Sequence, residues 1–205
     1  KAFIEGVQGT GDEFLDSNHI MATAKHFIGD GGTFKGIDKG DTRISEGGLK
    51  NIHGTPYYSA FEACVQSVMA SFNSWNGVKM HGHEYLLTDV LRDQMGFNGL
   101  VVGDWNGHGE VPGCTNANCP ESFNAGVDIY MAPDEWKELY TNTVRAVKAG
   151  DISEDRLDDA VRKILTVKDR LGMLDGRKPH EYENYVGKIE HRKLAREAVS
   201  YTHLR

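Results

Sequence analysis

Gly99-Leu100-Val101-Val102-Gly103-Asp104-Trp105-Asn106-Gly107 is the stretch on which the reading of the fold turns. Gly99–Val102 is a short uncharged run with two β-branched valines, and it leads straight into an acid, an indole and a glycine turn. An unbroken apolar run of this length reads as a strand buried on both faces. Asp104 then sits where a buried strand emerges into a loop. In a parallel α/β sheet or barrel, ligands bind and catalytic groups project at that point. An Asp before Asn-Gly also commonly forms a turn, and on local pattern the two readings stand level.

Outward from this strand the same punctuation recurs. Ile20–Ile28 reads as a buried strand giving out in Gly29-Asp30-Gly31-Gly32, with Lys25 and His26 near its far end. Gln66–Phe72 reads as another, ending in Asn73-Ser74-Trp75-Asn76-Gly77, and Val127–Met131 as a fourth, ending at Pro133 and Asp134. Between them, Glu46–Cys64 has a helical middle that Pro56 is expected to break. His83–Met95 is amphipathic through Leu86, Leu87, Val90, Leu91 and Met95. Trp136–Ala149 is expected to be a helix stopping at Gly150. Ser153 should cap a last one whose buried face carries Leu157, Val161, Ile164 and Leu165. Thr33–Ser45 reads as a long loop, the kind that is functional or disordered. Strands and helices alternating at roughly thirty-residue spacing predict an α/β fold with a parallel sheet. Four strands make half of an eight-stranded barrel.

Bulk composition narrows the classes. The 205 residues are 39% hydrophobic and 26% charged, ordinary for a globular domain. No apolar run approaches the ~20 residues of a membrane helix, so no membrane span is expected. The formal charge of −7 argues against a nucleic-acid surface. No Gly-rich phosphate loop opens a helix, which leaves nucleotide binding and phosphorylated substrates without support. Cys114 and Cys119 share one loop, too little for a zinc site; a disulfide between them would imply an oxidising compartment. Lys1 in place of Met, and an end without a helix cap after Glu190–Ser200, make the chain read as a piece of a longer one.

The residues at the strand ends are Lys25, His26 and Asp30; Phe72, Asn73 and Trp75; Asp104 and Trp105; Met131, Pro133 and Asp134. A parallel α/β arrangement puts them all on one face. Cation, imidazole, carboxylates and indole rings together suit a carbohydrate, whose hydroxyls need acids and amides and whose apolar face needs an aromatic. Each also has a plainer job: Lys25 in an ion pair, Asp30 holding its turn, Trp75 and Trp105 in packing.

KHFIGDGGT (Lys25–Thr33), ASFNSWNGVKMHG (Ala70–Gly82), GLVVGDWNG (Gly99–Gly107), NAGVDIYMAP (Asn124–Pro133) and LDDAVRKIL (Leu157–Leu165) resemble, in this order, glycoside hydrolase family 3. The likeness is to its β-glucosidase and exo-β-glucanase branch. The resemblance implies the C-terminal half of a (β/α)8 TIM-type barrel over residues 1–175. Residues 176–205 would be a linker toward an absent α/β sandwich domain. It implies a retaining mechanism that releases glucose from the non-reducing end of a β-linked gluco-oligosaccharide or glucoside, without cofactor or metal. Two carboxyl groups roughly 5–5.5 Å apart do this chemistry, one attacking the anomeric carbon and the other protonating the leaving oxygen.

Asp104 matches the family's nucleophile and Trp105 the indole beside it. Lys25 and His26 match the pair that holds glucose hydroxyls, and Lys25 would favour the ionised nucleophile. Asp30 and Glu46 match acidic positions around the site. Phe72 stands where relatives often carry tyrosine, and is taken with Lys25, His26, Asp30 and Trp105 as a substrate contact lacking a phenol. Gly47 departs from an arginine in the family's pattern. The acid/base glutamate would lie outside these residues, so the isolated piece is expected to be inactive, and the whole enzyme to be secreted or periplasmic. The rivals are the family's β-N-acetylhexosaminidases and an inactive sugar-binding homologue. Ile28 and Asp30 replace a proline and a histidine typical of the former.

Overall fold

In a computed structural model, residues 1–177 and 187–203 are described, the side chains only as far as residue 200. In chain order the elements begin with helix α1 (Ala2–Gln8) and strand β1 (Thr23–Phe27), followed by strand β2 (Asp41–Thr42). Helix α2 (Glu46–Gly48) runs through a wide π turn, Leu49–Gly54, into α3 (Thr55–Glu62). Strands β3 (Ser67–Ala70), β4 (Ser74–Trp75) and β5 (Val78–Lys79) precede a π-type helix, Tyr85–Gln94, and strand β6 (Leu100–Trp105). Helix α4 (Pro120–Ala125), strand β7 (Ile129–Met131) and helices α5 (Trp136–Ala149), α6 (Glu154–Arg170) and α7 (Ile189–His203) complete the order.

Four strands form one parallel sheet in the order β1-β3-β6-β7. Consecutive parallel neighbours with helices between them are the α/β arrangement expected of barrel strands. Strand β3 is buried throughout and β6 through its first two residues, as central parallel strands must be. Val68, Ala70 and Val101 meet Phe27, Leu86, Leu87 and Leu91 in the main core. Phe123, Ala146, Ile152 and Ala160 form a second cluster under α5 and α6. The Ser153 hydroxyl accepts the Arg156 amide and caps α6 as expected.

Buried polar side chains align the N-terminal ends of the strands. The Gln8 amide oxygen accepts from the backbones of Ala22 and Gln66, 3.0 and 3.2 Å away, where β1 and β3 begin. Asp128, just before β7, accepts the Val101 amide at 2.8 Å and bonds Arg92 at 2.6 Å and Arg156 at 2.9 Å. Packing and stapling occupy this end of the sheet, and the opposite end is left for a site.

Three local expectations are corrected. The first strand starts at Thr23, because the Ile20 amide bonds the Val7 carbonyl and its side chain stays exposed. Pro56 does not break its helix. It occupies the first turn of α3 directly after the π turn, where its missing N–H costs little. Thr33–Ser45 is not all loop: β2 pairs with β4, and β4 with β5, in a second, three-stranded sheet. Part of the expected 176–205 linker, residues 178–186, lies outside the described residues, as do Leu204 and Arg205. The helix expected over Glu190–Ser200 is α7. Among the described residues no helix is long and apolar enough to cross a membrane.

Candidate active site

Strand β6 carries Asp104 and Trp105 as its last two residues, at the C-terminal end of the sheet. The Asp104 side chain is 17% exposed and faces His26 of β1, its Oδ2 lying 3.4 Å from the imidazole Nε2. On the other side of that ring, Nδ1 lies 3.4 Å from Oδ2 of Asp30, whose side chain is 45% exposed. Gly29 in the left-handed conformation, φ 92°, turns the chain out of β1 and brings Asp30 back alongside His26. His26 and Asp30, four residues apart, and the distant Asp104 thus form one carboxylate–imidazole–carboxylate row.

The second oxygen of Asp104, Oδ1, accepts the Trp105 amide at 2.7 Å, which leaves Oδ2 as the outward one. Trp105 is 60% exposed, an indole presented to solvent beside the carboxylate. Lys25 is exposed on β1 and, with His26 and Asp30, lines a cavity of about 550 Å³ bounded on its far wall by His53 and Tyr57. Asp104 does not line this cavity.

The remaining expected residues fall outside this row. Phe72 packs its ring 5.9 Å from that of His81 and lies under the Lys39 ammonium, 4.2 Å from the ring centre. Its ring contacts are thus to His81 and Lys39. Glu46 is drawn away altogether, its carboxylate bonding the Tyr85 hydroxyl. Asn73 is fully buried, its amide donating to the Ile28 carbonyl at 3.2 Å and the Thr42 hydroxyl at 3.0 Å. Trp75 donates its indole N–H to the Ile44 carbonyl at 2.8 Å. Asn73 ties the second sheet to the end of β1, and Trp75 ties β4 to the segment just after β2.

Two groups at this face were not singled out by sequence. Glu110, just past β6, takes Lys39 at 2.6 Å and Lys79 at 2.9 Å, one on each oxygen. Partial burial works to raise its pKa, but the two ammonium groups outweigh this and the net direction is down. His81 is 2% exposed, and its Nε2 accepts the Asp104 backbone N–H at 2.8 Å. Burial pushes that imidazole down to about 4, against smaller opposing pulls from Asp104 and the Ser71 backbone. A histidine following a turn, with no periodic pattern around it, carries no sequence signal for such a position.

Cys114 and Cys119 form a disulfide in the loop after the site. They are therefore unavailable to a metal, although Glu121 stands beside them.

Comparison with known proteins places the fold among glycoside hydrolases. Residues 1–167 match the family model described as the glycosyl hydrolase family 3 N-terminal domain. The chain is 38% identical to a β-xylosidase of Formosa agariphila, over 96% of its own length and 29% of that protein. It is 30% identical to a periplasmic β-glucosidase of Salmonella typhimurium, over 97% of its length and 28% of the other. Among solved structures, an exo-1,3/1,4-β-glucanase from a Pseudoalteromonas species superposes with a TM-score of 0.92 at 51% identity, covering 96% of this chain and 25% of that one. A β-glucosidase from Listeria innocua in complex with glucose superposes at 0.85 with 26% identity, covering 96% and 28%. The chain thus spans about a fifth to a third of the length of the relatives it matches.

Proposed function

The chain belongs to glycosyl hydrolase family 3, and on that premise we propose that it holds the nucleophile side of a retaining β-glucosidase or exo-β-glucanase site, with Asp104 as the attacking carboxylate. The observation that carries this reading is the disposition of Asp104. It sits at the end of a central parallel strand, with one oxygen tied to the Trp105 amide and the other turned toward His26 at 3.4 Å. A carboxylate so held is oriented before substrate arrives, which is what attack on an anomeric carbon requires.

In the proposed reaction Oδ2 of Asp104 bonds to the anomeric carbon as the glycosidic C–O bond breaks, and a separate carboxylic acid protonates the departing oxygen. Water, deprotonated by the conjugate base of that acid, then displaces Asp104 and restores the starting state. Lys25 and His26 bond hydroxyls of the glucosyl unit, Asp30 steadies His26, and Trp105 lies against the ring. Glu110 is poorly suited to be the proton donor, because its two lysine partners keep it ionised. We assign the acid to residues beyond this chain, and the disulfide supports a working place in an oxidising, extracytoplasmic compartment.

The test uses the whole enzyme that contains these residues. Treatment with 2-deoxy-2-fluoro-β-glucosyl fluoride should expel the anomeric fluoride and leave one 2-deoxy-2-fluoroglucosyl group on the peptide carrying Asp104. Asp104→Asn should lower kcat by about a thousandfold or more. Label on a different carboxylate, or none, overturns the assignment. Aryl β-glucoside, β-xyloside and N-acetyl-β-glucosaminide compared side by side decide the sugar, with the glucoside expected to have the highest kcat/KM. The 51% identity to the exo-glucanase, against 38% to the β-xylosidase, supports that order.

A further inference from the structure

His81 lies in the turn Met80–Gly82 after β5, on a different element from every residue assigned above. Its ring is buried against the end of β6, where Nε2 takes the Asp104 amide N–H at 2.8 Å. On the β3 side that amide has no strand partner, because the pairing of β3 with β6 ends at Met69 and Val102. The imidazole takes the place of a strand partner two residues past the end of that pairing, at Asp104.

The local sequence is built around the ring. A Cβ on Gly107 would overlap the imidazole, and one on Gly103 would stand 3.4 Å from its Cδ2. Phe72 closes another side, and the Ser71 carbonyl holds the ring from the end of β3. An Nε2 that accepts a hydrogen bond carries no proton, so the neutral ring is protonated on Nδ1. The ionisable groups acting on it are Asp104 of β6 and, in the turn that follows, His108 and Glu110.

Resting on the reading of Asp104 as nucleophile, we propose that His81 is its positioning residue: a neutral, Nδ1-protonated imidazole that fixes the Asp104 main chain and so aims Oδ2 at the anomeric carbon. With the amide held by His81 and Oδ1 held by the Trp105 amide, the carboxylate presents Oδ2 in one direction, beside the His26 ring. His81 touches neither substrate nor reacting atoms. It acts through Asp104 alone, and should affect the covalent steps and not sugar binding.

The experiment compares the intact enzyme with His81→Phe, which fills the space without an acceptor, and with His81→Gln, whose amide oxygen restores one. In His81→Phe the rate of inactivation by the 2-fluoro glucoside and kcat should both fall about ten- to a hundredfold, with the inactivator's Kd and KM within twofold of wild type. His81→Gln should recover most of that loss. Independently of any variant, 15N-histidine NMR of the wild type at neutral pH should show His81 as the Nδ1–H tautomer. Wild-type inactivation rates in folded His81→Phe, or an Nε2–H tautomer in the wild type, overturn the positioning role while Asp104 remains the labelled residue. Label elsewhere in the wild type overturns the nucleophile and the positioning role together. A variant that loses only thermal stability reduces His81 to packing.

Discussion

His81 illustrates how much one buried imidazole can govern through protonation alone. Its ordinary pKa of 6.5 is pushed down to about 4 by burial. The unfolded chain, with the ordinary value, therefore binds more protons than the native one between about pH 4 and pH 6.5. The sign follows: this contribution to stability is complete above pH 6.5 and is lost as pH falls through that window. His83 and His108 are also lowered by burial and add in the same direction. The His81 part should amount to about 2 kcal/mol between pH 7 and pH 5. Denaturant unfolding at the two pH values, wild type against His81→Gln, measures it; equal pH slopes for the two proteins would refute it. The acid side of the activity profile should follow, since a protonated ring turns Nε2 into a donor facing the donor N–H of Asp104.

At the scale of elements, the two ends of the parallel sheet do different work. The C-terminal ends carry Asp104, Trp105 and His26, and the N-terminal ends are tied by Gln8 and Asp128. Asp128 is the stricter tie, a fully buried carboxylate between Arg92 and Arg156 that also satisfies the Val101 amide. Asp128→Ala removes the shared carboxylate from two largely buried cations, which keep their bonds to the Gly99, Phe123 and Val127 carbonyls, and the side-chain acceptor from the Val101 amide, and should cost about 3–5 kcal/mol. Kcat and KM of the folded fraction should stay within twofold, because the change is at the far end of the strands. A thermal-unfolding loss below about 1 kcal/mol would show that the arginines find other partners. The same contrast explains what could be read in advance. The long elements were legible, since uninterrupted apolar runs and 3.6-residue stripes carry their own period; α5 has the bounds that Trp136–Ala149 predicts. Strands β2, β4 and β5 were not, because two-residue strands have no period and are held by partners such as Asn73. The strand ends put His26, Asp30 and Asp104 on one face; Glu46, which only the resemblance set around the site, has its carboxylate bonded to Tyr85. They gave no sign of His81, which enters from a turn.

For the molecule as a whole, the question is which group gives the leaving oxygen its proton. Asp30 of the row and Glu110 just past β6 are carboxylates of this face, and each is already engaged. Asp30 is separated from Asp104 by the His26 ring, with one carboxylate on each imidazole nitrogen. Glu110 is bound by Lys39 and Lys79, which favour its charged form, whereas a general acid at neutral pH needs a raised pKa. The proton donor is therefore proposed to come from outside these residues, so that the complete site forms between this sheet and another part of the enzyme. Loss of an acid/base group in a retaining glycosidase has a distinct kinetic signature. Substrates with poor leaving groups suffer far more than activated ones, and added azide restores turnover by taking the glycosyl group to give a β-glycosyl azide. Asp30→Asn and Glu110→Gln in the intact enzyme should both lack it, losing activity by similar factors on 2,4-dinitrophenyl and alkyl β-glucosides, with no response to azide. Azide-restored turnover with β-glucosyl azide as product, from either variant, would put the acid/base on this chain and make the barrel face self-sufficient.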